Sequence, residues 1–341
     1  MNIKNLKDIN IKLKDWNLKY GEEVAGQKES IKERRKLNSI SIQLDRLKKA
    51  EGTRTAIGVF GQSQCGKSYL TSELIGGAET KLIVKGKEDS KFHDYNQNEA
   101  GRESTALVTR LTSKKESYSA PENSVMVRYL SSSDIMWSFV YGFYNELKWT
   151  TGFKLTEDEV AAIEKNIQSP DTSNRMMIDI ELLADEFSEC QTWINQNMSY
   201  PYSLADIAVD YFSNHDKISV DKYIQLVSTL WNSDKNITQA FRARIETLYS
   251  LGFALEGSIP ESLLKRVLDA SSSDNLSLAV TSNDIIPSQN GDLIHGDYNG
   301  GASGTKIANI QAIIKEVCLL ADVKKDSVAS KIDVLDFPGA R

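Results

Sequence analysis

Residues 61–68 read Gly61-Gln62-Ser63-Gln64-Cys65-Gly66-Lys67-Ser68, an ungapped G-x-x-x-x-G-K-[ST] octet. The preceding run Thr55-Ala56-Ile57-Gly58-Val59-Phe60 is apolar and β-prone, and Tyr69-Leu70-Thr71-Ser72-Glu73-Leu74-Ile75 behind it fits a helix. Strand, glycine turn and helix, in that order, are the setting in which such an octet cradles phosphate. Gly61 and Gly66 allow a tight path, and the N–H groups of the turn and of the helix's first turn point at an anion. Lys67 is placed to bring a cation to the β- and γ-phosphates, and the Ser68 hydroxyl to coordinate Mg²⁺. The contact set expected for a nucleotide is therefore the octet itself together with Tyr69.

Working outward, 341 residues with 40% apolar content suffice for two or three folded domains. A formal net charge of -6 gives no reason to expect bulk nucleic-acid binding. Cys65, Cys190 and Cys318 are odd in number and widely separated, which suggests neither a disulfide framework nor a metal site, so a reducing cytoplasm is the expected setting. The amino terminus has no apolar signal core, and no run reaches transmembrane length; membrane contact, if made, is expected to be peripheral. His93, His215 and His295 are isolated and receive no role.

Residues 1–50 are polar and lysine-rich, and Ile31, Leu37, Ile40, Ile42, Leu44 and Leu47 predict an amphipathic helix over 29–50. Residues 51–130 read as the first part of an α/β core, with strands near Lys81–Val84 and Ser124–Leu130. Within 103–112, Thr105, Thr109 and Thr112 are each candidates for a hydroxyl that senses the γ-phosphate. Residues 131–325 read as a mostly helical inserted domain, with helices near 134–147, 177–195, 203–213, 220–232, 237–251, 260–270 and 305–321 and brief strands near 276–280 and 293–294. The acids Asp179, Glu181, Asp185, Glu186 and Glu189 spread along one helix and read as a solvated face.

Residues 326–341 return to the nucleotide theme. Lys331-Ile332-Asp333-Val334-Leu335-Asp336-Phe337-Pro338-Gly339 is a β-prone run ending in Asp-x-x-Gly. Beside the octet, Asp336 is placed to hold Mg²⁺ and the Gly339 N–H to meet the γ-phosphate. Thr109 and Asp336 are too far apart for an ordinary loop. The expected fold is thus an α/β P-loop NTPase core, GTPase-like, incomplete, and interrupted by a large mostly helical insertion.

The octet, Leu107-Val108-Thr109-Arg110 and Asp336-Phe337-Pro338-Gly339 together resemble the phosphate loop and the two switch motifs of dynamin-like GTPases. With Val59-Phe60-Gly61, Tyr69-Leu70, Glu103-Ser104-Thr105 and Leu335 through Ala340-Arg341, the chain also resembles the amino-terminal part of an SrfC-like bacterial virulence-factor family. This resemblance implies Thr109 as the switch threonine, a third ligand of Mg²⁺ beside Ser68 and Asp336, and GTP rather than ATP, a choice the residues alone leave open. It implies Lys67, Thr109, Ser63 and Gln64 as the groups around hydrolysis. The order Ser63 then Gln64 inverts the Gln-Ser order of dynamin-like loops, so nucleotide binding is the firmer expectation and GTP hydrolysis by a longer protein the weaker. The alternative is a nucleotide-regulated scaffold that binds a protein partner. No guanine-reading segment follows Arg341, and the chain is expected to be a fragment whose partners include missing carboxyl-terminal domains.

Overall fold

The computed structural model describes residues 2–52, 54–62, 65–77, 80–84, 87–91, 107–114, 120, 122–147, 156–173, 177–197, 208, 211, 215, 217–268, 286–287, 307–323 and 326–337. In chain order these begin with α1 (Ile3–Ala25), α2 (Gln27–Gly52), β1 (Ala56–Val59) and α3 (Lys67–Ile75). There follow β2 (Lys81–Val84), β3 (Lys87–Lys91), β4 (Thr109–Thr112), β5 (Ser124–Tyr129), α4 (Ser132–Leu147) and α5 (Glu157–Gln168). Next come β6 (Met177–Asp179), α6 (Ile180–Asn197), β7 (Lys217–Ser219), α7 (Val220–Ser228) and α8 (Lys235–Ser250). The last are β8 (Glu256–Pro260), α9 (Glu261–Leu268), β9 (Ile286–Pro287), α10 (Ile307–Gln311), β10 (Ile314–Leu320) and β11 (Asp333–Asp336). They divide into two compact units, one of residues 1–53, 133–242 and 293–296, the other of 54–132, 243–292 and 297–341.

The first unit is mostly helical, with one small antiparallel pair, β6 and β7. Asn2 caps α1 by accepting from the Lys4 N–H, and Gly26 breaks the chain at φ 79 before α2 begins. The core of this unit is aromatic. Trp231 and Phe241, both fully buried, meet edge-on at 5.0 Å, and Phe139 stands edge-on to Phe241 at 5.5 Å. Two ring polar atoms of this core find carbonyl or hydroxyl partners: Tyr144 donates to the Leu230 carbonyl at 2.8 Å and Trp231 Nε1 to the Thr238 hydroxyl at 3.0 Å. In α6, Glu186 is buried where a solvated acidic face was expected, whereas Glu189 is exposed. The side chains of Asp179, Glu181 and Asp185 lie outside the described set.

Lys222 closes the carboxyl end of α5. Its ammonium, on a residue 3% exposed, donates to the carbonyls of Ile167 (2.5 Å), Ser169 (2.9 Å) and Asn166 (3.3 Å), and lies 4.5 Å from the Tyr211 ring centroid. A helix terminus leaves such carbonyls without partners, and a cation there also meets the negative end of the helix dipole. Burial pulls the Lys222 pKa down, with Asp171 opposing. Lys222→Met keeps the stem but removes the ammonium from the Ile167 and Ser169 carbonyls, while that of Asn166 keeps Gln225 and Ser169; a loss of about 2–4 kcal/mol is expected in urea unfolding, and a loss under about 0.5 kcal/mol would reduce this contact to decoration.

At the other end of α5 a reciprocal cap forms. Thr156 Oγ1 accepts from the Glu159 N–H at 3.3 Å while Glu159 accepts from the Thr156 N–H at 2.8 Å. The backbone bond from Thr156, then its hydroxyl, hold the Glu159 carboxyl below its ordinary value of 4.5. A depressed carboxylate stabilises above its unfolded pKa and stops doing so as pH falls through the folded one. Amide-exchange protection in the first turn of α5 should therefore drop below about pH 4.5, and Glu159→Gln should flatten that dependence.

The second unit is built on a central sheet, so the molecule is a mixed α/β protein. Among the described residues the sheet has seven strands in the order β1-β11-β4-β10-β5-β8-β9. β1 runs parallel to β11, β11 antiparallel to β4, and β4 parallel to β10, while β5, β8 and β9 extend the sheet in antiparallel fashion. β10 corrects an expectation. The helix predicted over 305–321 is five residues of α10 followed by a strand in which only Lys315 is exposed. Flanked by β4 and β5 and covered on both faces, Val317-Cys318-Leu319-Leu320 is a continuous apolar run whose periodicity fits helix and strand alike. The strands expected near 276–280 and 293–294 lie outside the described residues.

Candidate functional site

β1 hands the chain to the octet, and the octet opens α3. Gly66 is the N-cap of α3 in the left-handed region, at φ 86, ψ 16. A Cβ there would touch nothing, so the backbone conformation rather than space calls for glycine. At Gly61 space decides: a Cβ would stand 2.7 Å from Cys65 Sγ. As a glycine, Gly66 gives no side-chain cap, so no side chain from the N-cap competes for the first-turn N–H groups of α3.

Lys67 is the first helical residue and is 9% exposed. Its ammonium folds back across the loop to donate to the Gln62 carbonyl at 2.6 Å. Cys65 is exposed with a free thiol, and Tyr69 (72%) and Leu70 (51%) project into solvent. Ser68 lies in the first turn of α3, with its side chain outside the described set. Ser63 and Gln64, the residues assigned to hydrolysis, and Gly339 also fall outside it.

The sheet brings the distant motifs to this loop. Val59 pairs with Asp336 across β1 and β11, and Asp336 pairs with Thr109 across β11 and β4. Strand alternation puts these three side chains on one face, in one row, at the end of β1 from which the octet departs. Thr109 is 6% and Asp336 1% exposed. Of the other switch candidates, Thr112 ends β4 three residues further along and its hydroxyl accepts from the Lys114 N–H, whereas Thr105 is outside the described residues. Thr109 is the one that the register sets beside Asp336.

One contact here had no motif to announce it. Phe60 and Phe337 each follow directly on a paired strand end, and their rings stack at 4.0 Å. A Cβ on Gly58 would meet both rings, at 2.7 and 3.0 Å, so Gly58 makes room for the stack. The pair ties the start of the octet to the start of Asp336-Phe337-Pro338-Gly339. The only signal in the sequence was that both aromatics sit one residue beyond a strand.

The Mg²⁺ expected on Ser68, Thr109 and Asp336 is overturned. Among the described residues no group of three or more His, Cys, Asp or Glu is arranged to hold a metal ion. In the row itself Asp336 is a single carboxylate between Val59 and Thr109, and it is almost wholly enclosed. With one enclosed carboxylate in the row, the described residues assemble no protein cage of acidic, His or Cys ligands for a divalent cation.

Among the described residues no helix is long and apolar enough to cross a membrane. A family model described as "Putative bacterial virulence factor" matches residues 18–341. No curated protein matches the chain.

Proposed function

The chain belongs to this bacterial virulence-factor family, and from that premise and the geometry at the end of β1 we propose that it binds the phosphate chain of a nucleoside triphosphate in the loop 61–68. The family label says nothing of chemistry. The observation that carries the reading is the row Val59–Asp336–Thr109, which brings three motifs from opposite ends of the sequence to the mouth of one glycine loop. The loop supplies N–H groups at the start of α3 and one enclosed ammonium, Lys67, now resting on a carbonyl that a phosphate oxygen could replace. The parallel pairing of β1 with β11 and the antiparallel β4 beyond it accord with a P-loop GTPase-like core, and the dynamin-like and SrfC-like kinship belongs to this proposal.

Fluorescent triphosphate analogues of guanosine and adenosine should bind saturably, be displaced by the unlabelled triphosphates, and ignore the free nucleosides. Absence of saturable binding up to about 1 mM would end the proposal. Competition between the two triphosphates assigns the base.

A second reading is a nucleotide-regulated interaction module with negligible turnover. The exposed apolar side chains beside the loop, Phe60 (71%), Tyr69 (72%) and Leu70 (51%), favour it, since they offer a surface that responds to the loop's state. Tight binding with phosphate release no faster than in Lys67→Ala supports the module; faster, Lys67-dependent release supports an enzyme.

A further inference from the structure

Along α1, Leu6, Ile9, Leu13, Trp16 and Tyr20 recur at alternating steps of three and four residues. That period of 3.5 keeps one seam turned toward a partner helix, with Leu6, Leu13 and Tyr20 at a and Ile9 and Trp16 at d. Yet Ile9 (46%), Leu13 (47%), Trp16 (48%) and Tyr20 (49%) stand in solvent.

The buried side of α1 is a different one, and it is polar. Asn10, Asn17 and Gly21 face α2. Asn10 Nδ2 donates to the Leu37 carbonyl at 2.9 Å and to the Ser41 hydroxyl at 2.6 Å, and the Ser30 hydroxyl donates to Asn17 at 3.4 Å. Gly21 lets the helices close, for a Cβ there would stand 2.5 Å from Ser30 Oγ. The hairpin thus holds itself together through amides and hydroxyls and leaves its heptad seam uncommitted. Ile11 and Leu18 are exposed on another side of the helix and form no continuous row.

The flanks of the seam specify what it takes. Asn10 and Asn17 occupy the e positions and are covered by α2, while Lys12 and Lys19 occupy the g positions and are exposed. Only one flank is open, and the residues lining the seam there are the two lysines, with exposed Asp8 and Asp15 one row further out. We propose that this seam docks an amphipathic α-helix of a protein partner whose apolar stripe is bordered by glutamate or aspartate. A second copy fits poorly: an antiparallel α1 sets Lys12 and Lys19 against lysines, and a parallel one sets them against the α2-covered asparagines. A lipid surface fits poorly too, because α1 carries five lysines against four carboxylates and so has little net attraction for anionic headgroups.

The test uses the full chain and a labelled three-heptad peptide with Leu at a and d and Glu at e and g, beside a twin with Lys at e and g. By anisotropy the Glu peptide should bind about tenfold more tightly than its Lys twin, an advantage that salt erodes and that Lys12→Glu/Lys19→Glu reverses. Leu13→Glu/Trp16→Glu should weaken it about a hundredfold. Both positions are exposed, so circular dichroism of that variant should match wild type. Equal affinity for the two peptides, or indifference to the double substitution, would overturn the proposal. So would failure of the peptide to bind combined with seam-dependent dimerisation in sedimentation, which assigns a second copy, or with seam-dependent pelleting on phosphatidylserine vesicles, which assigns a membrane.

Discussion

Lys67→Ala is expected to lower affinity for a nucleoside triphosphate by about a hundredfold while leaving the fold intact. The ammonium is the only side-chain cation in the octet, and a charge-assisted bond to phosphate contributes about 1.5–3 kcal/mol, which spans one to two decades in Kd. In the present structure that ammonium is satisfied by the Gln62 carbonyl rather than left bare. The substitution therefore removes one loop contact, which should move the melting temperature little, and a cation that only a phosphate chain would use fully. Its signature is dependence on chain length: the loss should be large for the triphosphate, smaller for the monophosphate, and absent for the nucleoside. Gly66→Ala should weaken binding by a different route, since φ 86 is a conformation that alanine resists and the N–H groups of α3 would swing away. A folded Lys67→Ala protein with wild-type affinity would remove the phosphate-loop reading altogether.

What could be read beforehand divides by the range of the interaction. The strand Ala56–Val59, the turn at Gly66 and the helix from Lys67 announce themselves in consecutive residues, because the glycine and the flanking apolar runs act locally. The row Val59–Asp336–Thr109 depends on strand pairing across most of the chain, and no local pattern encodes the register; only the two motifs hinted that the ends should meet. The sequence of β10 reads as helix because a strand enclosed on both faces loses its alternation. β8, Glu256-Gly257-Ser258-Ile259-Pro260, gives almost no β signal, and its pairing to β5 comes from the neighbour rather than from its own propensity. α1 gives a misleading signal for the opposite reason: its contact with α2 runs through Asn10, Asn17 and Gly21, so the face a hydrophobic pattern would assign to the core is the one in solvent. The metal expectation failed because motif residues name a role, whereas a coordination shell needs several donors converging in space.

Arg110→Ala is expected to destabilise the sheet unit by about 3 kcal/mol. Across β8, β5, β10, β4 and β11 runs an alternating row of charges that ends at Arg54, just before β1. Glu256 meets Arg128 at 3.0 Å, Arg128 meets Glu316 at 2.6 Å, and Glu316 meets Arg110 at 2.9 Å. Arg110 then meets Asp333 at 3.0 Å, and Asp333 meets Arg54 at 3.6 Å. The row is buried at its centre, where Glu316 is 7% and Asp333 4% exposed. Its effect reaches Cys318 beside it, whose thiol is pushed up to about 12 by burial first and by Glu316 next. Removing Arg110 leaves two enclosed carboxylates with one arginine each, a deficit that costs about 3–5 kcal/mol when a buried pair is broken and somewhat less here because Arg128 and Arg54 remain. Arg110→Lys should recover only part of the loss, since one ammonium lacks the planar fork that reaches Glu316 and Asp333 together. A double-substitution cycle of Arg110→Ala with Glu316→Gln should show coupling of about 1 kcal/mol or more. Because successive strand residues face opposite ways, Arg110 projects from the face away from Thr109 and Asp336. The folded variant should therefore bind the triphosphate as wild type does. Unfolding within about 0.5 kcal/mol of wild type would show that the row is mere surface charge, and lost binding with unchanged stability would place Arg110 in the site instead.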